Sequence, residues 1–340
     1  GCPLGTDPLR SAATMHEITP ETTVDHLRHL GRIPPDKPAR AEALGWGVSN
    51  VVVRVEVEGE PAFVVKQSRE RLRTKAYWAS RLDRIWIERD ALELLGTVLA
   101  EGAVPRVLFS VPEDYLFAMT AAPKEAVVWK EQLLDGVVEP DVARRAGAIL
   151  GRMHTQLRDH PGLAGRLADT TVFDELRIDP FYRAIARVHH DLKPAVDALI
   201  AGMAAAPDRT FVHADFSPKN ILVHRRGLTV VDFETAHAGD PAFDVGFFLS
   251  HITLKAFRTG VDEGKYLGLV EPFWDGYHAE AGPGHPDLSA RSTRHAAACM
   301  LARVDGVSPV DYLDEEARGR ARSVAREILA RPSLGIDDLA

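Results

Sequence analysis

Val53, Val55 and Val57 alternate with Arg54, Glu56 and Glu58. That period of two predicts a strand with one face buried, over Val51–Glu58. Gly59-Glu60-Pro61 predicts a turn, and Ala62–Gln67 the returning strand. Upstream, Val24, Leu27 and Leu30 share one face of a helix over Glu21–Leu30 that Gly31 stops, and Pro34, Pro35 and Pro38 then break the chain. Ile85, Leu92, Leu95 and Leu99 recur at helical spacing over Leu82–Leu99. Arg69–Ser80, before it, reads as a surface loop or irregular helix, and Pro105–Phe109 and Tyr115–Thr120 after it as two more short strands. From Glu125 the pattern turns helical: Asp141–Leu157 carries Val142, Ala146, Ile149, Leu150, Met153 and Leu157 on one side. Tyr182–Ala205 is helix-rich with an interruption at Pro194, and Phe243–Leu254 reads as a buried helix. Residues 261–332 read as helices separated by Gly282–Pro286 and Gly306–Pro309. Between the helices lies a hairpin, in which Ile221–Val223 and Leu228–Val231 flank an Arg225–Gly227 turn. The expected fold class is α+β, a small antiparallel sheet with one helix followed by a mainly helical region.

Composition narrows the class. The 340 residues suit about two domains. We place a mobile extension at 1–20, a sheet-bearing lobe at 21–122 and a helical lobe at 123–340. A hydrophobic share of 45% and a charged share of 26% are those of a soluble globular protein. The net charge of −8 argues against a general nucleic-acid binder. No apolar run reaches the roughly 20 residues that span a membrane. The first residues lack the basic and apolar segments of a secretory signal, and Met15 is a candidate natural start. Two cysteines, Cys2 and Cys299, fit a reducing cytoplasm with no structural disulfide.

The chemistry gathers around F-V-H-A-D-F-S-P-K-N-I-L-V-H-R-R-G-L-T-V-V-D-F-E, residues 211–234. A tight hairpin returns the chain on itself, so Asn220 and Asp232 are expected close together. With Glu234 they offer three oxygen-bearing side chains beside Asp215. Hard cations such as Mg2+ take oxygen ligands, typically one or two carboxylates plus substrate phosphates. The set therefore suits phosphoryl transfer from a nucleotide. Other residues carry weaker signals. Gly45-Trp46-Gly47, with Ser49 and Asn50, precedes a strand rather than opening a helix, so it is not a dinucleotide fingerprint. His154 on an apolar helical face is expected to be a satisfied core residue, and His189-His190 to be surface. Asp244 either caps its helix or braces the loop at Asp215, and we favour bracing. Arg291, Arg294, His295 and Arg303 read as a solvated helix face or the lining of an acceptor pocket. Asp311–Glu316 reads as an acidic helix start.

The motifs match known patterns. His213-Ala214-Asp215 followed by Asn220 resembles the H-x-D-x-x-x-x-N catalytic loop of the protein-kinase-like fold, and Asp232-Phe233-Glu234 resembles its metal-binding D-F-G with Glu in place of Gly. Gly239-Asp240-Pro241 follows almost at once, which leaves no room for a peptide-docking segment and points to a small acceptor. Residues 44–254 resemble the aminoglycoside phosphotransferase and choline kinase superfamily; D-F-E, V-V-K-Q-S-R and the helix from Arg84 are similar to 5-methylthioribose kinases. The resemblance implies a two-lobe, protein-kinase-like fold and a kinase using ATP and Mg2+ on a small-molecule hydroxyl. It implies Asp215 as catalytic base and Asn220, Asp232 and Glu234 as metal ligands. Gly45, Gly47, Ser49 and Asn50 would cover the phosphates. Lys66 would hold them, paired with Glu88 (Glu93 being the second candidate). Met119–Pro123 would be the hinge between the lobes, where backbone groups, those of Met119 and Ala121 among them, meet the adenine edge. Arg294-His295 partly matches the paired arginines with which that family grips methylthioribose; the second arginine is absent. Three functions stay open: a metabolic small-molecule kinase, an antibiotic-inactivating phosphotransferase and a nucleotide-binding pseudoenzyme. Oligomeric state is not readable.

Overall fold

The computed structural model describes residues 15–45, 50–69, 81–282, 286–331 and 333–339. These fall into two compact units, one holding the chain to Ile85 together with Val107–Ala121, the other Trp86–Arg106 and the chain from Ala122.

The first unit is built on a five-stranded antiparallel sheet, ordered β1-β2-β3-β5-β4. Its strands are β1 (Ala39–Ala43), β2 (Asn50–Val57), β3 (Phe63–Ser68), β4 (Val107–Val111) and β5 (Leu116–Thr120). The alternation in β2 does what its period requires: Val51, Val53, Val55 and Val57 are buried, the residues between them partly exposed. A helix, α1 (Pro20–His29), lays Leu27 into the same core with Ile18, Ile33 and Phe63. Its start is fixed by Thr19 and Thr22, which exchange side-chain and backbone hydrogen bonds in a capping box. Gly59 turns β2 into β3 at φ 75°, where a side chain would be strained. Sequence patterning misses β1, because A-R-A-E-A carries no β-branched or aromatic residue; it forms by pairing Ala39 to Ala43 with Val57 to Val53.

The second unit is mainly helical. It takes α2 (Arg84–Leu95) from Trp86 on, then β6 (Val127–Val128), α3 (Trp129–Leu134) and α4 (Pro140–Gln156). The α2 helix stops at Leu95, before Gly96, rather than running to Leu99. The stretch after Glu125, expected helical, first makes β6, which pairs with the hairpin. Then α5 (Thr171–Phe173) leads into π-helical turns over Asp174–Arg183 and α6 (Ala184–Val188). Pro180 sits inside those turns without an N–H to give, and a widened helix tolerates the gap. Pro194 opens α7 (Lys193–Ala204) in its first turn, where no N–H is needed, instead of interrupting a helix.

Next come β7 (Thr210–Val212), β8 (Ile221–His224), β9 (Gly227–Val230) and β10 (His237–Gly239). The β8–β9 hairpin pairs Ile221 with Val230, as expected from sequence, and β10 returns antiparallel to β7, which was not foreseen. The rest is α8 (Pro241–Ala256), α9 (Glu263–Leu267), α10 (Val270–Ala281), α11 (Leu288–Asp305) and α12 (Glu315–Ala330). Asp314 caps α12 by accepting from Ala317 N at 2.9 Å, the helix start read from the acidic run. Glycines allow α4 and α10 to touch through their backbones. A Cβ on Gly147 would lie 2.0 Å from the Phe273 carbonyl oxygen, and one on Gly276 2.0 Å from that of Arg144. None of the described helices is long and apolar enough to cross a membrane.

Candidate active site

Asp215 lies three residues past the end of β7, and a single 3-10 turn over Pro218–Asn220 swings the next residues back upon it. Asn220 Nδ2 donates to Asp215 Oδ2 at 2.8 Å and to the Asp215 carbonyl at 3.0 Å. Lys219 Nζ lies 3.2 Å from the same carboxylate oxygen. The other oxygen, Oδ1, faces Arg177 Nη2 at 3.0 Å. Arg177 also donates from Nε to the Ala214 carbonyl at 2.6 Å. Burial alone would raise the Asp215 pKa. Lys219 and Arg177 outweigh it, and the net displacement is downward despite the nearby Asp232. Asp215 is therefore a charged, tightly oriented carboxylate.

The hairpin then brings the other acids round. Val231 N donates to the Asn220 carbonyl at 3.0 Å, which sets Asp232 next to Asn220 in space. Asp232 sits at φ 71° and Ala214 at φ 63°, left-handed conformations that non-glycine residues adopt at a cost. The surroundings hold them. Asp244, fully buried on α8, accepts from His213 N at 2.7 Å and from Ala214 N at 2.8 Å. Bracing is thus its role, and Asp240 caps α8 instead. His213 links loop to hairpin. Its Nε2 lies 3.2 Å from the Val231 carbonyl and its Nδ1 takes the Asp215 N–H, a pattern only a neutral ring provides. Burial lowers its pKa accordingly.

Asn220 spends its amide nitrogen on Asp215, leaving Oδ1 as the atom for a cation, with the half-buried Asp232 and Glu234 beyond the hairpin. Among the described residues no three His, Cys, Asp or Glu side chains form a cage for a metal. Two carboxylates and an amide oxygen fall short of one, which is the donor set of a Mg2+ that also takes phosphate and water oxygens.

The first unit carries most of the candidates for holding the nucleotide. Lys66 is buried on β3 between Val52 and Phe117 of the neighbouring strands. Asn50 opens β2 and accepts from Arg84 Nη2 at 3.3 Å. Met119 on β5 pairs with Val64, and Ala121 N donates to the Ala62 carbonyl at 3.4 Å. Gly45 is described as a turn; Gly47, Ser49 and residues 70–80 lie outside the described residues. Glu88 is buried on α2, in the second unit.

Three expectations are corrected. His295 does not line an open acceptor site: it is 1% exposed, its Nδ1 lies 2.7 Å from Tyr182 Oη, and burial pushes its pKa down to about 3. Its helix face is not solvated either, since Arg291 is buried against Asp208 and Asp240; Arg294 is partly exposed. Of the pair expected at the surface, His190 is exposed, whereas His189 is a half-buried partner of Asp305 at 2.9 Å. His154 is the satisfied core residue expected, between Tyr277 and Asp244.

Sequence reading gave no role to Lys219 or Arg177. Lys219 had a signal, four residues after Asp215. Arg177 had none, because π-helical turns far upstream present it.

The chain is similar in sequence and fold to known proteins. A methylthioribose kinase of Exiguobacterium sibiricum is 28% identical over 266 residues, covering 71% of this chain and 67% of its own length. One from a Geobacillus species is 22% identical over 79% of this chain and 73% of itself. Among solved structures, a choline/ethanolamine kinase family protein from Mesorhizobium loti superposes with a TM-score of 0.57 at 17% identity, over 92% of this chain and 96% of its own. Amicoumacin kinase hAmiN gives 0.60 at 15% identity, over 94% and 99%. These likenesses show the kinase-like α+β fold that the motifs implied. The profile of the phosphotransferase enzyme family matches residues 40–285, the span that runs from β1 through the Asp215 loop and its hairpin, and the chain belongs to that family.

Proposed function

We propose that the protein transfers the γ-phosphoryl group of ATP to a hydroxyl of a small-molecule metabolite. One observation carries the reading: Asp215 is held by Asn220, Lys219 and Arg177 at the mouth of a hairpin that returns Asp232 to Asn220. The acceptor oxygen bonds to the γ-phosphorus, the bond from that phosphorus to the β–γ bridging oxygen breaks, and ADP departs. The hydroxyl proton passes to Asp215. A carboxylate with a lowered pKa is a weak base, so Asp215 chiefly orients the hydroxyl and takes the proton late. That suits a loose transfer, in which positioning and charge neutralisation do most of the catalysis. Lys219 would turn from Asp215 toward the transferring group and offset its charge. Lys66 would hold the phosphate tail. Asn220, Asp232 and Glu234 would hold Mg2+, which supplies charge neutralisation on the phosphates when bound.

Asp215→Asn keeps the side chain's shape and one of its two acceptor oxygens but cannot take the proton. We expect Mg2+-dependent transfer to fall by at least about 100-fold, with nucleotide affinity retained. A variant that phosphorylates as fast as wild type removes Asp215 from the reaction. Loss of nucleotide binding and folding together would instead mark it as structural. The methylthioribose kinase relatives favour a sugar-type hydroxyl over an antibiotic, and a panel of both classes scored by ADP release separates them.

A further inference from the structure

Behind Asp215 the second unit gathers cations with few carboxylates to match. On α8, Phe247, His251 and Lys255 follow one another at four-residue spacing and so share a face. Arg177, already on Asp215, lies 5.6 Å from the Phe247 ring centre. Phe247 meets the His251 ring edge-on at 4.9 Å. Lys255 Nζ donates to the His251 carbonyl at 3.1 Å and sits 5.3 Å from the centre of the Tyr312 ring. Arg303, on α11, donates to the Ser308 carbonyl at 2.6 Å and hydroxyl at 3.1 Å. Its Nε and the Tyr312 hydroxyl are buried without a hydrogen-bond partner among the described residues.

Lys255 is 1% exposed. Among the described residues neither it nor Arg303 has an ion-pair partner. Burying unmatched charge is unfavourable, so a fold that keeps several such groups together needs another reason to do so. The groups sense one another. Burial, then Lys255, Arg303, Lys219 and Lys130, drives the His251 pKa well below its ordinary value. Burial, then Lys130, Arg303 and Arg258, brings that of Lys255 down to about 7. The carboxylates within reach of Arg303 and Tyr312 are Asp215, committed to Arg177 and Lys219, and Asp311. Arg177, His251, Arg303 and Tyr312 all keep some exposed surface, and Lys219 is open to solvent. The rim of the cluster, at Lys219, His251 and Arg303, is thus in contact with solvent.

We propose that Lys219, His251, Lys255, Arg303 and Tyr312 form a recognition site for an anionic group, a carboxylate or a phosphate, carried by the acceptor whose hydroxyl Asp215 addresses. The inference rests on the phosphotransferase reading above and adds the acceptor's charge to it. An anion there is matched by guanidinium and ammonium groups and receives the unused Arg303 and Tyr312 donors. The acceptor is thereby a hydroxy acid or a phosphorylated polyol, and a neutral sugar binds less well.

The test is binding, so it does not wait on identifying the true acceptor. Thermal denaturation of the full chain is followed against D-gluconate, D-glucose 6-phosphate and D-glucose at constant ionic strength. The titrations are repeated with Mg2+ and a non-hydrolysable ATP analogue at saturation. We expect a saturable rise of a few degrees with an anion, absent with glucose and persisting beside the analogue. A response to gluconate alone identifies a carboxylate acceptor, and one to glucose 6-phosphate alone a phosphorylated one. Lys255→Met and Arg303→Gln should remove the response. Lys219→Met, at the exposed rim, gives the same readout should a buried substitution prevent folding. Asp215→Asn should retain the response while losing transfer, so the two readings fail separately. No saturable shift with either anion, an equal shift with glucose, an unchanged response in the three cation variants, or competition by the nucleotide analogue overturns the proposal.

Discussion

Asp244 shows how one side chain supports a strained loop. Its two oxygens take the N–H groups of His213 and Ala214, and its Oδ2 lies 3.3 Å from His154. Removing it leaves two buried donors with nothing to bond. Asp244→Ala should cost about 3 kcal/mol or more of stability in urea unfolding. Asp244→Asn, which keeps one acceptor, should cost less. A second prediction concerns pH. Burial holds His237 at about 4, against an ordinary 6.5. The unfolded chain therefore binds a proton that the folded one refuses as pH falls through that window. Stability must drop on acidification, by on the order of 3 kcal/mol from this residue alone. Asp240, pushed up to about 6 by burial, works in the opposite direction over part of the range. His237→Phe isolates the histidine, because Phe keeps the stack on Phe173 at 4.1 Å. Urea midpoints at pH 7 and pH 5 should differ less in the variant than in wild type; equal differences would place the titration elsewhere. At this scale the sequence revealed Asp215, Asn220 and Asp232, because their spacing is local to one hairpin. It could not reveal Arg177 or the burial of His295, which tertiary packing decides.

Among the elements, periodicity announced most helices and the β2–β3 and β8–β9 hairpins. It failed where pairing, not propensity, makes the element. β10 is three residues, H-A-G, and exists only because it lies along β7. β1 is held in the same way by β2. The crossing of α4 and α10 was equally hidden, since Gly147, Gly151 and Gly276 look in sequence like poor helix formers. In space they are the condition for the contact. Gly276→Ala would place a methyl group 2.0 Å from the Arg144 carbonyl oxygen. Backbone cannot yield as a side-chain tip can, so the helices must separate. We expect a loss of about 3 kcal/mol or more by denaturant titration, whereas Gly202→Ala, with open space around it, should stabilise α7 slightly. If both alanine variants unfold at the wild-type midpoint, the close crossing is wrong.

Across the molecule, a net charge of −8 conceals a local excess of the other sign beside Asp215. Bulk composition argues against a general nucleic-acid binder but is blind to that inversion. The family was legible because its chemistry is written in contiguous letters; the acceptor was not, because its candidate contacts come from α8, α11 and the segment after it.

Cys299 offers a practical return. Its thiol is buried against Tyr182, and burial pushes its pKa up to about 12. Only a thiolate is alkylated at a useful rate, so iodoacetamide should leave this sulfur untouched in the native protein and label it once the surrounding helices part. Tracked by peptide mass spectrometry, that labelling becomes an internal clock for transient opening of the second unit. Rapid capture under native conditions would mean that the helices around it part far more often than their packing implies.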